Sequence, residues 1–320
     1  ESTQSVNVTK SLISIPTTNS DEPHFRRRSK TWEGGAAKWL FLACALVSIL
    51  TTIGILVSLV INAWGFFTEI PIWDYLFGTR WSPILKPRDY GVLPLVSGTL
   101  LVTLIGALVA VPVGLTSAIF LSEYAPDKLR RIIKPVLEVL GGIPTVVYGY
   151  FALTWVTPQI QKILPDLLVF NALSAGLVLG LMIIPMVSSL SEDAMLAVPR
   201  SLKQAAYALG ATRLEVSISI VVPAALSGVI AACIIGISRA IGETMLVTIA
   251  AGATPKLTLN PLESIQTMTA YIVQLSLGET PHGSLEFNTI FAVGLLLFFM
   301  TLVMNVGGHY VVRRWGLRYE

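Results

Sequence analysis

Residues 216–255 read VSISIVVPAALSGVIAACIIGISRAIGETMLVTIAAGATP, and this stretch decides the fold class. It exceeds the roughly 20 mainly apolar residues with which an α-helix crosses a bilayer. Arg239 and Glu243 are its only charged residues. A charge at membrane depth costs about 2.5–3.5 kcal/mol on insertion scales, so such residues usually face the protein interior and serve a function. On one continuous helix, their i, i+4 spacing puts both side chains on one face, where they can pair or jointly meet a solute.

The composition of the whole chain indicates a polytopic membrane protein. Hydrophobic residues make up 53% and charged residues 13%, with a mean hydropathy of +0.72, whereas a soluble domain carries about 25% charged residues. Cys44 and Cys233 lie far apart in apolar runs, and the three histidines are scattered. These patterns predict no metal site, cofactor, disulfide framework or enzyme activity, and no nucleic-acid partner.

Six segments have the length and composition of a membrane span, so we predict an all-α polytopic protein with six transmembrane helices. They are residues 39–67, 93–121, 136–156, 167–190, 218–251 and 287–312. Most of the 22 Lys and Arg residues fall before the first span, in the second and fourth connections, and after the last span. The positive-inside rule therefore predicts that both termini are cytoplasmic.

Residues 1–37 are predicted to form a disordered cytoplasmic tail. Their first two dozen residues are rich in Ser and Thr, without the apolar run of a signal peptide. The cluster Arg26, Arg27 and Arg28 follows. Next to the first span it is predicted to fix topology and meet anionic membrane lipid, with a protein partner as the alternative.

Two external connections carry patterns of their own. Residues 65–92 contain aromatic side chains, which favours an aromatic belt at the membrane interface or a grip on a protein. The aromatic residues are Trp73, Tyr75, Phe77 and Trp81. Residues 255–286 have apolar side chains at near-helical spacing, which predicts a short amphipathic helix that lies along the outer surface or packs beneath a partner. Those apolar residues are Leu262, Ile265, Met268 and Ile272.

The connection between the fourth and fifth spans carries the most specific pattern. Residues 204–206 read QAA, Gly210 follows after three residues, and residues 220–223 read IVVP after nine more. This resembles the EAA loop of ABC importer permeases, with the pattern E-A-A, three residues, G, nine residues, I-x-L-P. Gln stands in place of Glu and Val in place of Leu. The resemblance implies an ATPase-coupling set of Lys203, Gln204, Ala205, Ala206, Tyr207 and Gly210.

The same loop, residues 198–215, has a defined local structure on physical grounds alone. Pro199 suits a first helical turn, and Gly210 can adopt the left-handed conformation that ends a helix. Thr212 and Glu215 match a capping box for the next helix. The sequence therefore predicts a short helix, a tight turn and a new helix start. An ordinary amphipathic surface helix is the alternative to a coupling helix.

Two further motifs resemble the permeases of high-affinity phosphate uptake, of the PstC type. Residues 142–149 read GIPTVVYG and residues 238–245 read SRAIGETM. The likeness implies a six-helix type I ABC importer permease fold for residues 38–320. It also implies a second permease of the PstA type, an ATPase dimer of the PstB type and an external phosphate-binding protein of the PstS type. Glycine and proline in and just before the first motif mark the third span as irregular, which makes it a candidate for bending during alternating access.

The predicted substrate path in the fifth span comprises Gly236, Ser238, Arg239, Glu243 and Thr244. The fork of donors on Arg239 fits phosphate oxygens bidentately. Glu243 either neutralises Arg239 or accepts a hydrogen bond from a protonated phosphate. Sulfate could not donate such a hydrogen bond, because it is fully ionised near neutral pH. The alternative for both residues is a structural ion pair that holds helices in register.

Alternative functions are a permease for another oxyanion or phosphonate, and, in a different class, a secondary carrier or a membrane signalling protein. A secondary carrier is expected to show internal repeats and ion-coupling residues in several spans, which the sequence lacks. The chain contains no Gly-Lys dipeptide and hence no phosphate-cradling loop of the P-loop type. We therefore expect ATP hydrolysis on a separate subunit.

Overall fold

The computed structural model describes residues 31–84, 86–281 and 283–315, and most of these are helical. The first helices are α1 (Thr31–Phe67), α2 (Ile72–Phe77), α3 (Leu93–Ile119), α4 (Asp127–Gly141), α5 (Thr145–Phe151) and α6 (Thr157–Gln161). The later helices are α7 (Ala172–Leu196), α8 (Arg200–Ala208), α9 (Arg213–Val216), α10 (Val222–Ala224), α11 (Leu226–Ile241), α12 (Met245–Ala250), α13 (Met268–Leu277) and α14 (Leu285–Trp315). Strands β1 (Trp81–Ser82) and β2 (Asp89–Tyr90) pair antiparallel. Short π-helical turns span Phe120–Tyr124, Ala152–Val156 and Ser217–Val221.

Contacts within the chain divide it into two units that meet between Gly54 and Ile55, inside α1. The described part of the first unit is the helical stretch 31–54, whose side chains are exposed from residue 38 onward. Helix α1 thus begins within the segment predicted as tail. Residues 1–30, which hold most of the predicted tail and its basic cluster, lie outside the described residues.

Four helices are long and apolar enough to cross a membrane, and two bent helix pairs pass the same test jointly. The single helices span Ala37–Phe67, Leu93–Tyr124, Ala172–Leu196 and Leu285–Arg313. The bent pairs are Asp127–Gly141 with Thr145–Gln161, and Arg213–Ala224 with Leu226–Ile241. With each pair counted as one span, the described residues contain the six predicted spans.

The third and fifth spans are not straight. The third bends by 87° between Gly141 and Thr145, where Pro144 precedes α5 with φ −57° and ψ 135°, so the predicted irregularity of this span is confirmed. The fifth was predicted as one helix over 218–251, which is wrong. It bends by 71° between α10 and α11, and residues 242–244 separate α11 from α12.

The fourth span, α7, is displaced from its predicted bounds of 167–190. It begins at Ala172 because the Asn171 side chain caps it, with Oδ1 accepting a hydrogen bond from the Ser174 amide at 2.7 Å. It continues to Leu196, one to two turns beyond the predicted end. This extension places residues assigned to the cytoplasmic connection inside a packed helix.

Helices α3 and α7 form the centre of the second unit, and glycines let their backbones approach closely. A Cβ on Gly180 would lie 2.8 Å from Val109 Cβ and 2.9 Å from the Gly106 carbonyl oxygen. A Cβ on Gly176 would lie 2.6 Å from Ile105 Cβ. Around this contact lies a core of small and branched apolar side chains. The packing of α3 on α7 therefore depends on glycine at these positions, because any larger side chain would clash with α3.

We expect Gly180→Val to lower the stability of the purified protein by about 1–3 kcal/mol, the usual cost of overpacking a core. The clash falls on backbone and on a β-branched side chain, which have little freedom to move. Thermal unfolding in detergent measures the loss. Gly307→Val is the matched control, because a Cβ there meets no described atom within 4 Å. Equal stability of the two variants would contradict the close approach.

A buried aromatic cluster joins the 65–92 connection to the helices. Tyr75 and Trp81 are almost fully buried, and Trp81 packs edge-to-face on Tyr271 of α13 with ring centroids 5.0 Å apart. Trp73 and Phe77 are exposed and stacked on each other. The aromatic-belt interpretation is therefore wrong for Tyr75 and Trp81, which are core residues.

The predicted surface helix around residues 262–272 is also wrong. Helix α13 begins only at Met268, and both Ile265 and Met268 are completely buried. The preceding segment hydrogen-bonds with distant backbone instead, since the Ile265 amide donates to the Ala251 carbonyl at 3.1 Å. In this loop, a hydrogen bond from Lys256 holds the pKa of the Glu263 carboxyl below its ordinary value.

Candidate functional site

Arg239 lies in the last turn of α11. It is therefore close to the break at residues 242–244, between α11 and α12. Its side chain is exposed, and it forms no ion pair with any of the described residues. A cation in the last turn of a helix is favoured by the helix dipole. Among the described residues, the Arg239 guanidinium therefore has no counter-charge within ion-pair distance.

Glu243 lies in the break after α11 and is 9% exposed. Its Oε1 accepts a hydrogen bond from the Leu246 amide at 3.3 Å, in the first turn of α12. Its backbone carbonyl accepts a hydrogen bond from Thr269 Oγ1 at 2.7 Å. These two hydrogen bonds hold the side chain and the backbone of Glu243 in place.

The expectation that Arg239 and Glu243 share one helical face is contradicted, and the alternative of a structural ion pair between them is not found. Helix α11 ends at Ile241, so the two residues do not share a helix, and their charged groups form no ion pair. The i, i+4 spacing of Arg239 and Glu243 does not put them on one face, because Gly242 ends the helix between them.

The remaining residues of the predicted path have separate surroundings. Ser238 donates to Asn305 Oδ1 of α14 at 3.2 Å, and Thr244 donates to the Gly242 carbonyl at 3.2 Å, inside the break. Gly236 is buried, and a Cβ there would lie 2.9 Å from Val187 of α7. The structure therefore places Gly236 in the contact between α11 and α7.

The loop between α7 and α9 has the local structure that the sequence predicts. Helix α8 follows Pro199, and Gly210 adopts φ +85°, in the left-handed region. Thr212 Oγ1 accepts from the Glu215 amide at 3.3 Å, and the Glu215 carboxylate accepts from the Thr212 amide at 2.7 Å. The predicted helix, turn and capping box are confirmed.

The surface of this loop is partly apolar. Leu209, which the sequence analysis did not select, is 89% exposed, and Tyr207 is 43% exposed. Gln204 and Ala205 are also exposed, whereas Ala206 is buried. An exposed Leu at the end of a short helix offers apolar area to another protein.

Lys203 differs from the other predicted coupling residues. Its Nζ donates to Glu123 Oε1 at 2.5 Å, and both side chains are largely buried. Glu123 belongs to the π-helical turn at the end of α3. Glu123 could not be identified from the sequence because its partner lies 80 residues away.

Glu192 is a second carboxylate that the sequence analysis missed. It lies in α7 with no exposed surface, and Arg130 Nε of α4 is 2.6 Å from its Oε1. Lys134 Nζ lies 3.7 Å from Glu192 Oε2 and 3.1 Å from Asp193 Oδ1. Both carboxylates are visible in the sequence directly after the predicted fourth span. Because the end of that span was misplaced, both were assigned to a solvated loop.

Within the described residues, no group of three or more His, Cys, Asp or Glu side chains is arranged to hold a metal ion. Two features of the described residues stand out instead: the Arg239 guanidinium, which has no ion pair among them, and the partly apolar surface of the loop between α7 and α9, here called the α8 loop. Neither arrangement contains a nucleophile with an adjacent base.

The sequence of the chain is similar to those of known transport proteins. The sequence model of the family described as "binding-protein-dependent transport system inner membrane component" matches residues 110–316. A probable ABC transporter permease protein, YqgH, of Bacillus subtilis is 35% identical, over 87% of the chain and 90% of its own length. The phosphate transport system permease protein PstC of Haemophilus influenzae is 32% identical, over 87% of the chain and 92% of its own length.

Solved structures of ABC transporters share the fold. A bacterial alginate ABC transporter chain superposes with a TM-score of 0.64 at 17% identity, covering 89% of this chain and 98% of its own. A chain of the MetNI methionine ABC transporter, in an inward-facing conformation, gives 0.56 at 21% identity, covering 71% and 96%. These likenesses confirm the predicted all-α, type I ABC importer permease fold. The chain thus belongs to the family of binding-protein-dependent transport system inner membrane components, the multi-pass permeases of ABC importers.

Proposed function

We propose that the chain is the permease subunit of an ABC importer that moves inorganic phosphate across the cytoplasmic membrane into the cytoplasm. The observation that carries the proposal is Arg239, a guanidinium without an ion pair among the described residues, beside a break in a membrane span. Irregular backbone at membrane depth is tolerated where it is buried in protein or lines a water-filled cavity. The PstC permeases of several bacteria, which are named for phosphate transport, support phosphate as the substrate.

In this proposal Arg239 receives the phosphate anion. Its planar fork matches two phosphate oxygens, and the low dielectric of the membrane strengthens the contact. Ser238 and Thr244 flank the same region and supply hydroxyl groups on either side of the charge. Gly236 contributes by letting α11 pack closely on α7.

Glu243 is assigned the second role at the site. Its Oε1 is held by the Leu246 amide, which leaves Oε2 to accept a hydrogen bond from a protonated phosphate. Sulfate is fully ionised near neutral pH and has no proton to donate there. The residue therefore acts as a modest filter that favours phosphate over sulfate.

The energy for transport comes, in this proposal, from a separate ATPase dimer of the PstB type. The dimer docks on the exposed residues of the α8 loop, including Gln204, Tyr207 and Leu209. Closure of the dimer on ATP pushes this loop, and the spans rock from inward-open to outward-open. Both termini are then cytoplasmic, on the same side as the loop.

The complete importer needs two further proteins. A second permease of the PstA type pairs with this chain across a pseudo-two-fold axis, because one chain carries a single α8 loop for a dimeric ATPase. An external phosphate-binding protein of the PstS type delivers the anion to the outer mouth.

Reconstituted transport tests the proposal. The four proteins are placed in liposomes, and uptake of labelled phosphate, sulfate and molybdate is followed with and without ATP. Phosphate uptake that requires both ATP and the external protein is the expected result. Uptake of sulfate or molybdate in preference to phosphate would assign another oxyanion, and phosphate flux independent of the ATPase would indicate a secondary carrier.

A further inference from the structure

Lys203 points away from the exposed surface of the α8 loop. Its side chain is 17% exposed, and its ammonium lies 2.5 Å from Glu123 Oε1, whose side chain is 7% exposed. The neighbouring Gln204, Ala205 and Tyr207 are exposed. One helix thus presents most of its coupling residues outward and one cation to its own chain.

Glu123 connects this contact to the centre of the protein. It lies in the π-helical turn Phe120–Tyr124, which continues α3 without a loop. Such turns are rare and are often found at functional sites. Helix α3 in turn packs on α7 through the close glycine contacts described above. A displacement of Lys203 therefore acts on the most tightly packed helix pair of the second unit.

Few apolar contacts hold α8 in place. Ala206 is its only buried residue, and Leu202 is half-buried against the adjacent core cluster. At its C-terminal end, Gly210 forms a tight turn. Removal of one partner of a largely buried ion pair leaves an uncompensated buried charge, which is costly. Among the described residues, Lys203–Glu123 is the polar side-chain contact that attaches α8 to another span.

We propose that the Lys203–Glu123 ion pair is the positioning contact through which movement of the α8 loop reaches α3. The inference rests on the proposed function, because it assigns the pair to coupling with the ATPase. Lys203 acts through Glu123 and is not itself an ATPase contact. The ATPase-contacting residues are then the outward-facing ones, such as Gln204, Tyr207 and Leu209.

The test uses the assembled complex of both permeases, the ATPase and the external binding protein in nanodiscs. The readout is the stimulation of ATP hydrolysis by the loaded binding protein, which requires communication between the two membrane faces. We expect Lys203→Glu and Glu123→Lys each to reduce the stimulation by about tenfold, within the usual range of coupling energies. The ATPase subunit is expected to copurify with both variants, since its contact surface is retained.

The charge exchange separates positioning from mere stability. The double variant Lys203→Glu, Glu123→Lys restores the pair with its order reversed, and we expect stimulation within about threefold of wild type. Lys203→Arg is expected to retain it as well. Lys128→Glu is the matched control, since this exposed lysine follows Glu123 by five residues in the chain and makes no ion pair with the described residues.

Three results would overturn the inference. Unchanged stimulation in both single variants would show that the pair carries no signal. Failure of the double variant to recover would show that the residues act independently, and loss of the ATPase from the Lys203→Glu complex would place Lys203 at the ATPase interface. Flux of labelled phosphate through the wild-type complex tests the proposed function separately. Stimulation without phosphate flux would reject phosphate and still report on the pair.

Discussion

Arg239→Gln is expected to reduce ATP-driven phosphate uptake by about a hundredfold or more. The substitution removes two hydrogen bonds from a charged donor to the anion, each worth about 1.5–3 kcal/mol, and about 1.4 kcal/mol is tenfold. Glutamine keeps some polarity and much of the length, so α11 should fold normally. The initial rate of labelled phosphate uptake into proteoliposomes measures the effect, with copurification of the partner subunits as the assembly check.

Arg80→Gln is the matched control for this experiment. Arg80 is exposed in the 65–92 connection and forms no ion pair within the described part of the chain, so loss of its charge should leave uptake unchanged. Glu243→Gln should affect phosphate over sulfate selectivity more than rate. Normal uptake by assembled Arg239→Gln complexes would remove Arg239 from the substrate path. A double Arg239→Met, Glu243→Leu variant that still transports would be stronger counter-evidence.

Leu209→Glu is expected to weaken binding of the ATPase subunit to the permease by at least about tenfold. A Leu side chain contributes about 1.5–3 kcal/mol when fully buried in an interface, and a carboxylate adds a desolvation cost in its place. Because coupling depends on this contact, ATP-driven uptake should fall in parallel. Titration of the ATPase onto permease-containing nanodiscs measures the dissociation constant.

Leu277→Glu provides the control for Leu209→Glu. Leu277 ends α13 and is 83% exposed, close to the 89% of Leu209, so the change in exposed chemistry is the same at a different place. We expect ATPase affinity to be unaffected by this variant. Equal losses in the two variants, or none in either, would argue against docking on the α8 loop.

The α8 loop could be predicted in detail because its structure depends on short-range rules. Proline before a helix, glycine at positive φ and a Thr–Glu capping box each act within four residues. The structure reproduces each of them between Pro199 and Glu215. The six spans were likewise predictable from length and hydropathy, since both are local properties.

The break in the fifth span was not predictable from periodicity. Residues 242–244 leave the helix where the Glu243 carbonyl meets Thr269, 26 residues later in the chain. Likewise, Ile265 and Met268 are buried because distant backbone and Thr99 pair with that segment. Apolar spacing alone cannot distinguish a surface helix from a buried extended segment, since both require the same side chains.

Some charged residues of the site could be identified from the sequence, and others could not. Arg239 and Glu243 were found because they interrupt an apolar run, which is visible in sequence. The shared helical face expected for them is wrong because it assumed a continuous helix. Glu123 and Glu192 were missed because their partners, Lys203 and Arg130, come from other helices.

The burial of Glu192 has a consequence for biosynthesis. Its counter-charges, Arg130 and Lys134, precede it in the chain, so the ribosome delivers both cations before the carboxylate. When α7 leaves the translocon, α4 is already present to neutralise it, which avoids the cost of an isolated charge in lipid. A nascent chain truncated before residue 192 would hold two unmatched cations, and α7 inserted without α4 would hold an unmatched acid. The order of synthesis is thus compatible with assembly in one pass from the N-terminus.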